Sequence, residues 1–338
     1  MPFSHTDPTA GSRGSRAIGR LAGTLKTGSA RRLALILAGF LLCGAGAAWA
    51  LKGEAVEDAG VQALATIEGT LSDPLTRQPE GAFVPSVDRH RAEIWAVGDA
   101  GDGSAAATEV AQLIDGSEPD RLLYLGDVYE VGSADEFATN YAPSFGSLSD
   151  ITAPTLGNHE APNVTEGYEA YWRQIYGTTP PSFYSFRIAG WQILSLNSEI
   201  DHSEGSAQVR WLEQRVSAPG NCRIAFWHRP RFSAGTEHGD DPGLQPFWDA
   251  LGGRARLAIN AHEHDFQRQA ARDGITQLIA GAGGESRYPL DPAYSGLRFG
   301  DDEATGALRL RLRPGRLSYA FVDTRRHVLD SGSRRCEH

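Results

Sequence analysis

Hydrophobic and polar positions divide the chain into three regimes. From Leu33 to Leu51 no residue is charged, and Leu33 to Cys43 is strongly apolar. From 51 to about 90, Gly, Pro, Glu, Asp and Thr recur in irregular order, the pattern of a linker or loosely packed lead-in strand. Beyond 90, short apolar runs alternate with segments of helical composition, and a turn or polar residue halts most of the runs.

The first strand is predicted at Ile94-Trp95-Ala96-Val97, stopped by Gly98-Asp99. Ala105 to Ile114 reads as a helix. Arg121 to Leu125 is a second apolar run, stopped by Gly126-Asp127, and Ile151 to Leu156 a third, stopped by Gly157-Asn158-His159. Phe183 to Ile188 and Trp191 to Leu196 read as paired strands around Ala189-Gly190. Gln208 to Val216 is helical, and Ile224 to Trp227 is a strand ending at His228. Leu244 to Leu251 is a short helix. Leu257 to Asn260 is a strand leading to His262 and His264. Leu308 to Leu312 and Leu317 to Val322 flank Pro314-Gly315, a hairpin signal. Mixed strands and helices predict an α/β domain with helices outside substantial sheet. The domain is expected over 91–330, after an N-terminal segment 1–50 and the lead-in 51–90.

The apolar stretch reads as an address. A basic segment ending in Arg31-Arg32 precedes it, and small residues close it, with Ala48-x-Ala50 fitting a signal-peptidase site. A helix over 33–51 would also span ~28 Å, close to the ~30 Å hydrocarbon core. Both a cleaved export signal and a retained membrane anchor fit. Either places the body outside the cytoplasm, periplasmic or extracellular.

Charge narrows the partners. The net charge is −10. Residues 1–50 hold six basic side chains against Asp7, so the remainder stands at −15. An acidic body lacks the basic footprint of a nucleic-acid binder. It still admits a phosphate ligand, because bound cations would invert the local field. Of three cysteines, Cys43 lies in the apolar stretch, and Cys222 and Cys336 remain as either a disulfide pair or two free thiols.

The strand-end residues carry the chemistry: Asp99, Asp127, Asn158 with His159, His228, and His262 with His264. In open α/β sheets ligands bind beyond the carboxyl ends of strands, so five such loops can deliver these groups to one place. Carboxylate, amide and imidazole ligands suit iron, zinc or manganese. Two metals ~3.5–4 Å apart share a bridging group and clamp an in-line displacement at phosphorus. Singly, each residue also has a plain reading as a turn or core residue. Their joint order does not.

In that order the residues resemble the calcineurin-like metallophosphoesterases, and within them the purple acid phosphatase type. The resemblance runs from about Ile94 to Ile279. Its five blocks are Ala96-Val97-Gly98-Asp99-Ala100-Gly101, Tyr124-Leu125-Gly126-Asp127, Leu156-Gly157-Asn158-His159-Glu160, Trp227-His228 with Pro230, and Ala261-His262-Glu263-His264-Asp265. It implies a four-layer α/β/β/α sandwich. It also implies that Asp99 and His264 hold a first metal, that Asp127 bridges, and that Asn158, His228 and His262 hold a second. His159 would polarise the phosphate or protonate the leaving oxygen. His238, in Glu237-His238-Gly239, is a second candidate acid, or else a solvated loop histidine.

This chain departs from the pattern in three ways. Gly101 stands where most of the superfamily has a histidine. In purple acid phosphatases a tyrosine ligand to ferric iron compensates, three residues after the bridging aspartate. Here Tyr129 lies two residues after Asp127, so a ligand and a packing aromatic are both open readings. Ala261 stands where glycine is usual. Arg229 stands where related bacterial proteins have a second histidine, and Arg229 or Arg231 could fork a phosphate oxygen.

The implied reaction is hydrolysis of a small phosphate monoester by a metal-bound hydroxide at a dinuclear centre of iron with iron, zinc or manganese. A phosphodiesterase on the same site, or a metal-binding protein without catalysis, are the alternatives. Loops Glu160 to Thr179, Glu199 to Ser206 and Ser233 to Pro242 are the expected sources of specificity.

Overall fold

The computed structural model describes residues 76–337. The apolar stretch 33–51, and with it the signal-or-anchor question, lies outside the described residues. Among the described residues, no helix is long and apolar enough to cross a membrane.

Two sheets pack face to face. The first contains β1 (Ala92–Val97), β2 (Arg121–Tyr124), β3 (Thr152–Pro154), β11 (Gly306–Arg313), β12 (Arg316–Asp323) and β13 (Val328–Arg335), in the order β13-β12-β11-β1-β2-β3. The second contains β4 (Tyr184–Ile188), β5 (Trp191–Ser195), β6 (Arg223–Phe226), β7 (Leu257–Asn260), β8 (Phe266–Gln269), β9 (Thr276–Ala280) and β10 (Leu297–Asp301), in the order β10-β8-β9-β7-β6-β5-β4. The central strands β1-β2-β3 run parallel, as do β5-β6-β7-β9. Antiparallel strands flank both groups.

Helices cover the outer faces. The principal ones are α1 (Ala105–Asp115), α2 (Tyr168–Tyr176), α3 (Ala207–Val216) and α4 (Gln245–Leu251), with short helical turns between Ala134 and Ile151. One apolar cluster fills the space between the sheets and beneath α1 and α2, from Ile94, Leu122 and Leu310 to Ile193, Phe226 and Ile259. A second lies between the far face of the second sheet and α3 and α4, joining Leu194, Ala225 and Ala258 to Leu212, Phe247 and Leu251. The result is the four-layer α/β/β/α sandwich. Strands β5, β6 and β7 are buried along their whole length, because both of their faces are covered.

Local chemistry explains several elements. Ser104 caps α1 by accepting from the Ala107 amide, and Ser206 caps α3 by accepting from the Val209 amide. Gly315, at φ 72°, makes the turn between β11 and β12 where Pro314-Gly315 predicted a hairpin. Segment 160–179, expected as a loop, contains α2, which buries Tyr168, Glu169 and Trp172. The lead-in is also packed: Phe83 and Val84 belong to the core, and the Val87 amide donates to the Arg187 carbonyl at 2.8 Å. At the other end the sheet continues past 330 through β13. Cys222 and Cys336 form a disulfide with Cα atoms 4.9 Å apart, tying the start of β6 to the end of β13.

Candidate metal centre

The carboxyl ends of the two parallel strand groups converge on one site. β1 delivers Asp99, β2 delivers Asp127 and Tyr129, and β3 delivers Asn158 and His159. From the second sheet, β6 delivers His228 and β7 delivers His262 and His264. All eight except the half-buried His159 are buried.

The groups fall into two sets that share Asp127. In the first, the Tyr129 hydroxyl lies 3.2 Å from Asp99 Oδ1, 3.4 Å from Asp127 Oδ2 and 3.2 Å from His264 Nε2. In the second, His228 Nε2 lies 3.3 Å from Asp127 Oδ2, 2.9 Å from Asn158 Oδ1 and 3.1 Å from His262 Nδ1. Ligand atoms of Asp127, His228 and His262 all fall within 4.8 Å of one another.

The backbone is bent to achieve this. Asp99, Asp127 and His262 adopt φ values of 54°, 74° and 70°, in the left-handed region that non-glycine residues avoid. Each costs about 1–3 kcal/mol and persists where the surroundings over-determine it. Two buried peptide groups near Asp127 are held by Glu160, whose Oε2 accepts from the Asp127 and Gly157 amides at 3.0 Å each.

Gly101 explains how Tyr129 reaches the cluster despite its shortened spacing. The Gly101 carbonyl accepts from the Tyr129 amide at 3.0 Å, and Gly101 forms a bridge with Val128. A Cβ on Gly101 would come within 2.7 Å of the Asp127 carbonyl oxygen and 2.9 Å of the Tyr124 hydroxyl. The loop after β2 therefore docks where a side chain at 101 would stand. Ala261 is accommodated in a similar way, since a Cβ on Gly98 would lie 2.3 Å from the Ala261 Cβ.

Backbone carbonyls set the imidazole faces. His228 Nδ1 donates to the Leu125 carbonyl at 2.9 Å, and His264 Nδ1 donates to the Ser286 carbonyl at 2.6 Å. A carbonyl only accepts, so each Nδ1 carries a proton, and in the neutral ring the Nε2 lone pair is directed to the cluster. Burial pushes the His264 imidazole down to about 3. Burial, and then the positive neighbours His238 and Arg229, push His262 well below its ordinary value. Both rings are therefore neutral near neutral pH; because Arg229 can only donate to His262 Nε2, the His262 proton sits on Nδ1, and that atom binds a cation only once the proton has left.

The carboxylates behave as a coupled pair. Burial and the charge of Asp127 push Asp99 well above the usual carboxylate range. Burial opposes ionisation of Asp127 too, but His228 and His159 outweigh it and hold that carboxyl below its usual range. Burial, then Asp99 and Asp127, push the Tyr129 phenol up. Crowded buried oxygens beside neutral imidazole lone pairs match the demands of cations, and the mixed oxygen and nitrogen set suits iron, zinc or manganese.

Several groups line the rim. The His159 amide donates to Asp127 Oδ1 at 3.1 Å, its Nδ1 lies 2.6 Å from the Glu130 carbonyl, and its ring is 4.4 Å from that of Tyr129. The His238 ring stacks on His262 at 3.9 Å. Tyr288 stacks on His264 at 3.9 Å and meets the His238 ring edge-on at 5.3 Å. Arg229 is engaged inward: Nε contacts both Glu199 oxygens at 3.1 Å, and Nη1 donates to His262 Nε2 at 2.8 Å. Arg231 instead bonds Gln245, away from the cluster. Tyr288 was not expected from the sequence, and Glu199 only as the start of the loop Glu199 to Ser206. They follow two further parallel strands, β5 and β9, whose loops carry no metal-ligand spacing. The strand-end rule, applied to every apolar run, would have pointed to the Tyr288 loop as well.

Comparison with known proteins agrees with this geometry. The family model for calcineurin-like phosphoesterases matches residues 92–266. "Probable purple acid phosphatase 20" of Arabidopsis thaliana is 24% identical over 170 residues, covering 42% of this chain. The chain spans 40% of that relative's length. Among solved structures, purple acid phosphatase PPD1 of yellow lupin (Lupinus luteus) superposes with a TM-score of 0.62 at 15% identity, over 75% of this chain and 55% of its own. A dimetal phosphatase from Danio rerio superposes with a TM-score of 0.52 at 11% identity, over 72% of this chain and 98% of its own. At these identities the likeness is one of fold.

Proposed function

The chain belongs to the calcineurin-like phosphoesterase family, whose members are hydrolases of phosphoric esters, and we propose that it cleaves phosphate monoesters at a two-metal centre. The observation that carries this reading is the split donor cluster around Asp127. Asp99, Tyr129 and His264 would complete a first site, and Asn158, His228 and His262 a second. Metal ions bound there supply Lewis acidity at the phosphoryl oxygens and acidify water.

The chain's own groups account for the rest. Burial of the donors excludes bulk water and strengthens each electrostatic contact with the phosphoryl group. His159 is oriented through Nδ1 on the Glu130 carbonyl, so its Nε2 exchanges the proton. His238, stacked over His262, is the second group placed to protonate a leaving oxygen. The Glu199–Arg229 pair faces His262 and acts as a support for that ring, a different role from an exposed phosphate fork. The basic, apolar and small-residue order of residues 1–50 supports an exported enzyme acting on small phosphate esters.

Turnover of an aryl phosphate monoester and its diester by purified protein, with elemental analysis, tests the reading. Two metals per chain and faster monoester turnover are expected, with Asp127→Ala losing both metal and activity. Unchanged activity in Asp127→Ala would remove the basis of the proposal. Faster diester turnover would reassign the substrate class.

A further inference from the structure

Glu263 sits between His262 and His264 in the chain, yet its carboxylate serves a different segment. The side chain is fully buried. Its Oε1 accepts from the Ser233 hydroxyl at 2.9 Å and from the Gly239 amide at 2.7 Å, the two ends of the loop 233–239. The Ser233 hydroxyl in turn accepts from the Gly235 amide at 2.8 Å and from Gln267 Nε2 at 3.1 Å. Between its ends the loop presses on the carboxylate: a Cβ on Gly235 would lie 2.1 Å from Glu263 Cδ. Glu263 Oε2 makes no hydrogen bond to the described residues.

One acceptor atom therefore clasps both ends of a short loop, and His238 is the residue before the second clasp point. We propose that Glu263 is a positioning residue that holds the 233–239 loop down, so that His238 rests on His262 at the reacting phosphate. This rests on the reading of His238 as a proton donor in the proposed hydrolysis. The chemistry needs an acceptor in a fixed place rather than a charge, because both partners are neutral donors. An acid group that is correctly placed contributes about 10²–10⁴-fold to rate, and a mobile one loses that contribution.

Three variants of the metal-loaded enzyme test this. Glu263→Leu removes both acceptors, Glu263→Gln keeps an acceptor at Oε1, and Ser233→Ala removes one of the two donors. Hydrogen exchange across 233–239, metal content, and kcat and KM are measured for each. The kinetics are repeated in a His238→Ala background. Glu263→Leu is expected to speed exchange of the loop by about tenfold or more while both metals stay bound. Its kcat should fall toward that of His238→Ala, with no further loss when the two are combined. Glu263→Gln should restore loop protection and kcat, and Ser233→Ala should fall between. Loss of metal from Glu263→Leu, fully multiplying losses in the double variant, or a Gln variant as impaired as Leu would each overturn the proposal. Should Glu263→Leu not fold, the Gln and Ser233→Ala results decide it. If His238→Ala alone leaves kcat unchanged, the proton-donor role fails, and loop exchange still reports on the clasp by itself.

Discussion

Gly157→Ala adds a single methyl group where the loops after β2 and β3 meet. The new Cβ would stand 2.0 Å from Asp127 Oδ1, 2.7 Å from the Asp127 amide nitrogen and 2.9 Å from its carboxyl carbon. Ordinary contact begins at 3.4 Å. Asp127 must therefore retreat by more than 1 Å. The backbone at 157 lies outside the left-handed region, so alanine itself fits and the collision is purely steric. The carboxylate cannot retreat without cost, because the His159 amide holds Oδ1 while Tyr129 and His228 meet Oδ2. A displacement of about 1 Å at a reacting centre costs about 10²-fold in rate. That corresponds to about 2.7 kcal/mol of transition-state stabilisation. The assay is kcat on an aryl phosphate together with metal content and thermal midpoint. Gly81→Ala is the control, since no atom lies within 4 Å of its added methyl. A Gly157→Ala enzyme with full metal content and wild-type kcat would refute the assignment of Asp127 as the shared ligand.

Three further outcomes are expected. Opening the Cys222–Cys336 bridge, which spans a sequence separation of 114, should lower unfolding stability by about 5 kcal/mol on a loop-entropy basis, read as a fall in the urea midpoint; a midpoint that does not move argues against that estimate. Tyr129→Phe keeps the ring but removes the hydroxyl between Asp99 and His264, so about one metal equivalent should be lost while the second site stays filled; two retained equivalents would make Tyr129 a packing residue. Chelator-stripped protein should lose stability as pH falls from about 6.5 toward 3, because the unfolded chain protonates His264 near its ordinary value while the folded chain resists until about 3. A thermal midpoint that rises with acidification across that window would contradict the burial of that ring as a neutral base.

Much of the fold is legible in the chain because each central strand is a short apolar run with a sharp end. Ile94–Val97, Arg121–Leu125 and Leu257–Asn260 match observed strands closely. Other elements escape because hydrogen bonding, rather than hydrophobicity, accounts for their burial. In β8, Gln267 and Gln269 are buried, with Gln267 accepting from the Ala234 amide. The edge strand β13 reads as polar because its burial alternates at the sheet margin. In α2, Glu169 is buried against Arg77, 92 residues away, so its polar character conceals a packed face.

By itself the sequence determined which chemistry is available. Gly-Asp, Gly-Asn-His and His-x-His at strand ends put oxygen and nitrogen donors on loops at the carboxyl edges, since strand ends and turn residues are local properties. Only the tertiary structure decided how those donors group. Parallel pairing of β1-β2-β3 and of β5-β6-β7-β9 brings seven loops to one place, including the Glu199 and Tyr288 loops that have no local signature. The close approach at Gly101 admits Tyr129 beside Asp99 and His264 despite the shorter spacing. The Cys222–Cys336 bridge was likewise settled by the 4.9 Å between Cα atoms of residues that flank strands of two different sheets. Such contacts depend on how the layers pack, and no window of the chain contains that information.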